Sequence, residues 1–174
     1  LTNGRISVER HINNNDFSEA HEEWARDIKV LQNPPRELGW YQRKKSNYFK
    51  FYNQLAHEFT DIAQIDPMLF EVKTEYFPKF DIAEEESKKH LADVVDQMIA
   101  SLAKEYEKRG WQQKPFVFVK NNAGTYGLAV IKVEAGHEVM EWSYKSRKKM
   151  KAAKGGREVE EVIIQEGIPS IVEK

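Results

Sequence analysis

Lys120 is the residue whose position points most directly to chemistry. It directly follows the apolar run Phe116-Val117-Phe118-Val119 and comes directly before a loop that contains Gly124, Thr125 and Gly127. Glycines allow backbone N–H groups to turn inward towards an anion. The sequence therefore predicts a cradle for a polyphosphate, in which an ammonium group, a hydroxyl and several amides act together. The alternative is a hairpin whose glycines only satisfy turn dihedrals, and two glycines alone are a weak signal.

A later apolar run is the second half of the predicted nucleotide site. Val162-Ile163-Ile164 leads into Gln165-Glu166-Gly167-Ile168, which could present backbone groups to an adenine edge and apolar side chains to its face. Glu166 would then bind a ribose hydroxyl. The alternative is an ordinary strand end with a solvated glutamate.

Two basic segments could also attract anions. Arg43-Lys44-Lys45 precedes a predicted helix, and cations at the positive end of a helix cost roughly 0.3–1 kcal/mol, which an anionic ligand would offset. A solvated basic turn is the alternative. The residues from Lys145 to Lys154 form a second basic run with few aromatic neighbours, which favours a solvated helix face over an RNA site. The five histidines show no spacing typical of metal ligands.

Helices and a small group of strands must position these residues. Apolar residues recur at helical spacing from Tyr48 to Ile62 and predict a helix with one buried stripe: Phe51, Tyr52, Leu55, Phe59 and Ile62. A longer helix is predicted from Ile82 to Arg109, closed by Gly110. Phe70 to Phe80 reads as an irregular or briefly extended connection.

After Lys114 the composition changes to residues that favour β-strands. Phe116–Val119 and Leu128–Val133 predict two strands, a helix is expected from about Gly136 to Lys154, and Val159–Ile164 predicts a third strand. We therefore expect an α+β fold, with a helical N-terminal region beside a small antiparallel sheet that carries the glycine-containing loop.

Composition limits the classes of function. The 174 residues carry a formal charge of -1, which argues against a nucleic-acid coat. The absence of cysteine excludes disulfides and thiolate sites, and no apolar run is long enough to span a membrane. With no recognisable secretion signal either, we expect a cytoplasmic protein with neither nucleic-acid nor membrane partners.

Three segments resemble one enzyme family. Phe118 to Gly127, with its Ala-Gly-Thr-Tyr-Gly core, the basic Arg147-Lys148-Lys149-Met150, and Val162 to Pro169 are similar to the proteobacterial-type glutamate–cysteine ligases of the ATP-grasp superfamily. Gly39-Trp40 through Ser46 also match. The similarity runs from about Asn14 to the C-terminus.

The resemblance implies a ligase that uses ATP and Mg²⁺ to join glutamate and cysteine through a γ-glutamyl phosphate, the first step of glutathione synthesis. It places Lys45 and Lys120 on the nucleotide phosphates, Gly124, Thr125, Tyr126 and Gly127 over them as a lid, and Gln165, Glu166, Gly167 and Ile168 in the adenine pocket. Mg²⁺ ligands are expected downstream of Lys174, so the chain holds part of an active site.

The same resemblance suggests three segments. Residues 1–40 would be a remnant of the substrate-side domain, 41–114 a helical lobe, and 115–174 the nucleotide-binding subdomain. Two other hypotheses stay open: a nucleotide-binding module without turnover, and an RNA-binding or scaffold protein that uses the basic run at 145–154.

Overall fold

The computed structural model describes residues 8–12, 23, 26–38, 43–123, 129–142, 146, 148, 150 and 159–169. The chain divides into two compact units, residues 1–44 and 45–174. The helical segment and the strands after residue 114 therefore belong to the same unit. In the first unit, β1 (Arg10–Ile12) and β2 (Leu31–Asn33) pair in parallel, and a short 3-10 helix covers Arg36–Leu38.

The second unit is built on a four-stranded antiparallel sheet. Its strands are β3 (Thr74–Phe77), β4 (Val117–Asn121), β5 (Val130–Val133) and β6 (Val162–Glu166). Their order in the sheet is β3-β6-β4-β5, so β6, late in the chain, lies between β3 and β4. The antiparallel pairing of β4 with β5 confirms the two strands predicted on either side of the glycine-containing loop.

A 24-residue helix, α2 (Glu85–Lys108), forms the core with one face of the sheet. Its apolar positions fall on one side, as predicted, and its buried residues are Leu91, Ala92, Val95, Met98, Leu102 and Tyr106. They form one cluster with inward residues of the sheet, among them Val117, Val119, Val162 and Ile164. Because strand side chains alternate between faces, this packing determines which side chains of β4 and β6 remain on the other face.

The end of α2 confirms the predicted role of Gly110. Its φ is +67°, a conformation that a residue without a side chain adopts at no steric cost. The Gly110 N–H donates to the Glu107 carbonyl at 3.0 Å, and the Trp111 N–H donates to the Tyr106 carbonyl at 2.9 Å. This pair of bonds is the Schellman arrangement that closes many helices.

The helix α1 (Lys45–Ala63) also forms as predicted, but the burial expected for its apolar stripe is wrong. Phe51, Leu55, Phe59 and Ile62 are exposed, and its buried residues are Ala56 and Thr60. The periodicity correctly predicts a helix with an apolar face, whereas the packing uses the face with the smaller side chains.

Two further expectations need correction, and a third becomes more specific. The briefly extended part of the predicted connection Phe70–Phe80 is the edge strand β3, which pairs with β6. The helix expected from about Gly136 to Lys154 is interrupted. The short α3 (His137–Met140) ends before Trp142, whose buried ring meets Phe80 edge-on, and the described residues Ser146, Lys148 and Met150 are helical again. Most residues from 143 to 158 lie outside the described part. The third strand continues to Glu166, because its last residues pair with Thr74 and Val117.

No helix in the described part of the chain is long and apolar enough to cross a membrane.

We predict that the same substitution will have very different consequences in the two long helices. Leu102→Ala should lower the free energy of unfolding by about 2–5 kcal/mol, because Leu102 is fully buried and its loss leaves a cavity. Leu55→Ala should change it by only about 0.5 kcal/mol, because Leu55 is 65% exposed. Urea denaturation measures both, and equal effects would contradict the packing described here.

Candidate nucleotide-binding site

The sheet brings Lys120 and Gln165 together on the face opposite α2. Phe118 of β4 pairs with Gln165 of β6, and Lys120 pairs with Ile163, so these four side chains share a face. The Lys120 ammonium donates a hydrogen bond to Gln165 Oε1 at 2.5 Å and lies 5.2 Å from the centre of the Phe118 ring. Two predicted site residues, 45 positions apart in sequence, are thus in direct contact.

Gln165 is in turn oriented by β3. Its side-chain amide donates to Thr74 Oγ1 at 3.1 Å, and the residue is only 4% exposed. With Nε2 bound to Thr74 and Oε1 bound to Lys120, the amide has a defined orientation. Neighbouring strands therefore position the Lys120 ammonium.

Lys45 reaches the end of β4 from the first residue of α1. Its ammonium donates to the Asn121 carbonyl at 2.8 Å, and its backbone N–H donates to the Asn122 carbonyl at 2.9 Å. Lys45 and Lys120, the two predicted phosphate contacts, are therefore both held near the end of β4.

Asn122 fixes the start of α1. Its Oδ1 accepts from the Ser46 N–H at 2.8 Å, the role usually played by an N-cap residue just ahead of a helix. Its Nδ2 donates to Ser46 Oγ and to Glu161 Oε2, both at 3.0 Å. Asn122 is 1% exposed. It thus joins the first turn of α1 to the end of β4 and to the residue before β6.

The surroundings of the two lysines disfavour their charged forms. Burial, and then the nearby charge of Lys120, lower the pKa of Lys45 to about 8. Burial also lowers the pKa of Lys120. The first turn of α1 contains no acidic residue. Two partly buried ammonium groups that repel each other are what an anionic ligand would stabilise.

Glu166 does not join this group, because its side chain lies on the α2 side of the sheet. Its Oε1 accepts from the Tyr106 hydroxyl at 2.9 Å, and the residue is 7% exposed. Burial and the Glu166 carboxylate raise the pKa of Tyr106. The strand end is therefore not solvated, and the structure does not bring Glu166 together with Lys120 and Gln165.

The remaining residues of the predicted adenine pocket continue from β6. The N–H groups of Glu166 and Gly167 are used within the fold, where they donate to the Lys73 and Phe116 carbonyls at 2.9 and 2.8 Å. A Cβ at Gly167 would collide with the Phe116 ring, so the strand end and that ring approach closely. Ile168 is 68% exposed.

The loop residues Gly124, Thr125, Tyr126 and Gly127 lie outside the described part of the chain. Of the basic run at 145–154, the structure describes Ser146, Lys148 and Met150. Within the described ranges, no group of three or more His, Cys, Asp or Glu side chains is arranged to hold a metal ion.

Two comparisons with known proteins find matches. The family model for glutamate–cysteine ligase matches residues 3–174. The chain belongs to the glutamate–cysteine ligase family. None of the curated proteins matches it.

A solved structure from Methylobacillus flagellatus, described as a candidate gamma-glutamylcysteine synthetase, is similar to this family member. The two share 33% identity with a TM-score of 0.73. The match covers 88% of this chain and 35% of the other, so this chain spans about a third of the length of that relative.

Sequence reasoning misses the most connected residue of the site. The sequence groups Asn122 with the loop, although an Asn next to a predicted strand end is a residue type that caps helices. Ser46, whose N–H it caps, lies 76 positions earlier in the chain. Nothing in a single sequence indicates a cap over that separation.

We predict that Asn122→Ala will lower the free energy of unfolding by about 2–3 kcal/mol, since it leaves the Ser46 N–H and the Glu161 carboxylate without this partner. Asn122→Asp keeps an acceptor for Ser46 but places a carboxylate beside Glu161. Its deficit should therefore shrink as pH falls from about 8 to about 5 and one carboxylate is protonated. Urea denaturation at both pH values tests this, and a pH-independent deficit for Asn122→Asp would contradict it.

Proposed function

We propose that this chain contributes nucleotide-phosphate contacts to an ATP-dependent glutamate–cysteine ligase with an ATP-grasp arrangement. The observation that carries the proposal is the pair of partly buried cations, Lys45 and Lys120, held at the end of β4. Their lowered pKa values indicate an unfavourable charge placement of the kind that is common at functional sites.

The residues present suit a polyphosphate. Lys45 and Lys120 supply two cations, and the Gln165 amide holds one of them in position. When bound, ATP supplies the phosphoryl group that activates a carboxylate. The chain's own part would be to bind and orient the phosphates and neutralise their charge, which accounts for most of the catalysis of phosphoryl transfer.

The described residues do not suit a metal ion in the same way. Mg²⁺ takes oxygen ligands, and the described part of the chain holds no acidic cluster that would provide them. We therefore assign no step to a metal ion on residues of this chain. The expected Mg²⁺ would need carboxylates from elsewhere in a ligase.

Glutamate and cysteine are proposed as substrates on family membership. Ligation through a γ-glutamyl phosphate would place the nucleotide-binding part of the reaction in residues 115–174 together with Lys45. Gly124, Thr125, Tyr126 and Gly127 would cover the phosphates, and Gln165, Gly167 and Ile168 would lie nearest the adenine. A ribose contact through Glu166 would require its bond to Tyr106 to break.

A second candidate is nucleotide binding without turnover by this chain alone. It is favoured by the absence of an acidic cluster from the described residues and by the fraction of its relative that the chain spans. Release of phosphate that depends on both glutamate and cysteine, measured with the 174-residue chain, would reject this candidate.

We predict that Lys120→Ala will weaken ATP binding by about 10- to 100-fold, the effect of one lost charge-assisted hydrogen bond. Lys104→Ala is the matched control, because it removes the same charge from an exposed position on α2. Isothermal titration calorimetry with ATP, with and without Mg²⁺, measures both variants. Equal affinity in wild type and Lys120→Ala would remove the proposed phosphate role.

ATP affinity should also fall as pH rises. The pKa of Lys45 is about 8 in the free chain, so its ammonium is lost above that pH, and a bound anion moves the transition upward. Lys45→Arg stays charged and should retain affinity over the same interval. Titrations from about pH 7 to about pH 10 test this, and identical pH profiles for wild type and Lys45→Arg would refute the role of Lys45.

A further inference from the structure

One side of α1 carries a row of large exposed apolar side chains, which we call the α1 stripe. It consists of Tyr48, Phe51, Leu55, Phe59 and Ile62, with exposed fractions of 62%, 62%, 65%, 50% and 85%. Spacings of three and four residues place all five on one face of the helix. Phe70 extends the patch, since its ring meets Phe59 edge-on at 5.2 Å.

The apolar area of this patch is larger than scattered exposed side chains would give. These side chains leave on the order of 600 Å² of mainly apolar surface in water, taking the usual areas of large side chains. Continuous apolar patches beyond a few hundred Å² mark interaction sites on soluble proteins. The α1 stripe therefore requires a covering surface.

The exposure does not come from a helix that has failed to pack. Other residues of α1 bind the helix to its own unit: the Tyr52 hydroxyl donates to the Phe70 carbonyl at 2.8 Å, and Asn53 exchanges two hydrogen bonds with the backbone of Val72. Ala56 and Thr60 are buried beside them. The helix is held by its polar and small residues and presents its large apolar ones outward.

We propose that the α1 stripe is the docking surface for the ligase polypeptide that lies beyond the 174 residues of this chain. The matched relative has a chain of which this one covers 35%, so most of its polypeptide has no counterpart here. The α1 stripe begins at Tyr48, about one helical turn from Lys45, so a segment packed on it would lie beside the phosphate contacts.

A second copy of this chain is the competing occupant. The α1 stripe is symmetric about Leu55, so two antiparallel helices could pair Tyr48 with Ile62 and Phe51 with Phe59. Such a pair would bury only about 1,200 Å², at the lower limit for stable interfaces. The far larger polypeptide of a family member can cover the α1 stripe completely, which favours it as the occupant.

Thiol labelling tests the proposal, because residues 1–174 contain no cysteine. Leu55→Cys is made in the 174-residue chain and in the intact gene product, and the rate of reaction with a maleimide is normalised to the rate in urea. Lys50→Cys, on the exposed polar flank of α1, is the matched control. Ile62→Cys is the second variant should Leu55→Cys disturb folding.

We expect the thiol of Leu55→Cys to react about tenfold or more slowly in the intact gene product than in the short chain, with that of Lys50→Cys changed by less than about threefold. Equal rates for Leu55→Cys in the two proteins, or a gene product no longer than 174 residues, would overturn the proposal. So would concentration-dependent protection of this thiol in the short chain, or a disulfide joining two copies of Leu55→Cys, since both identify a second copy as the occupant. These rates are read without nucleotide, so the result is independent of ATP binding.

Discussion

The packing of α2 on one face of the sheet is the interaction on which the site depends. Leu91, Val95 and Leu102 are fully buried, and they contribute to one core with the inward side chains of β4 and β6. A strand that buries every second side chain must send the others to the opposite face. Lys120 and Gln165 meet there because the apolar positions on either side of them have been used for the core.

The register of the central strand makes this constraint visible. Val162 and Ile164 face α2, whereas Ile163 and Gln165 face the other way. Glu166 follows the same alternation, so its side chain lies on the core side of the sheet. There it accepts a hydrogen bond from the Tyr106 hydroxyl. A shift of the pairing by one residue would exchange the two sets and turn Gln165 towards α2. The proposed site and the hydrophobic core are therefore specified by the same register.

Much of this arrangement could be predicted from the sequence. The helix α2 has about six turns of regular apolar spacing and a glycine at its end, and the strands β4 and β5 are short runs rich in β-branched residues. The sequence analysis assigns Lys120 and Gln165 to one predicted site, and the structure places the two side chains in contact. The role of a residue that depends only on nearby residues in sequence, such as Gly110 at the end of α2, is predicted correctly.

The failures share a different physical origin. Apolar spacing shows that a helix has an apolar face but not which surface covers it. Phe51, Leu55, Phe59 and Ile62 are therefore expected in the core but lie exposed. Strand β3 spans only Thr74–Phe77 and is followed by Pro78, so it shows too little alternation to be recognised. Its pairing depends on β6, where Gln165 lies 91 positions after its partner Thr74. These elements depend on partners that are distant in sequence, and a single sequence does not show which distant residues pair.

Asn122 shows how the fold can hold two cations together at a cost. Like charges at partly buried positions are unfavourable, and an unrestrained lysine would turn to solvent. Here the first turn of α1 is tied to Asn122, and Lys120 is tied to Gln165, so the stability of the core offsets the repulsion. An anion that enters such a site finds its ligands already oriented and loses little free energy in ordering them. In our proposal, preorganisation of this kind is what allows a short stretch of sheet and one helix end to bind phosphate without a glycine-lysine-serine loop.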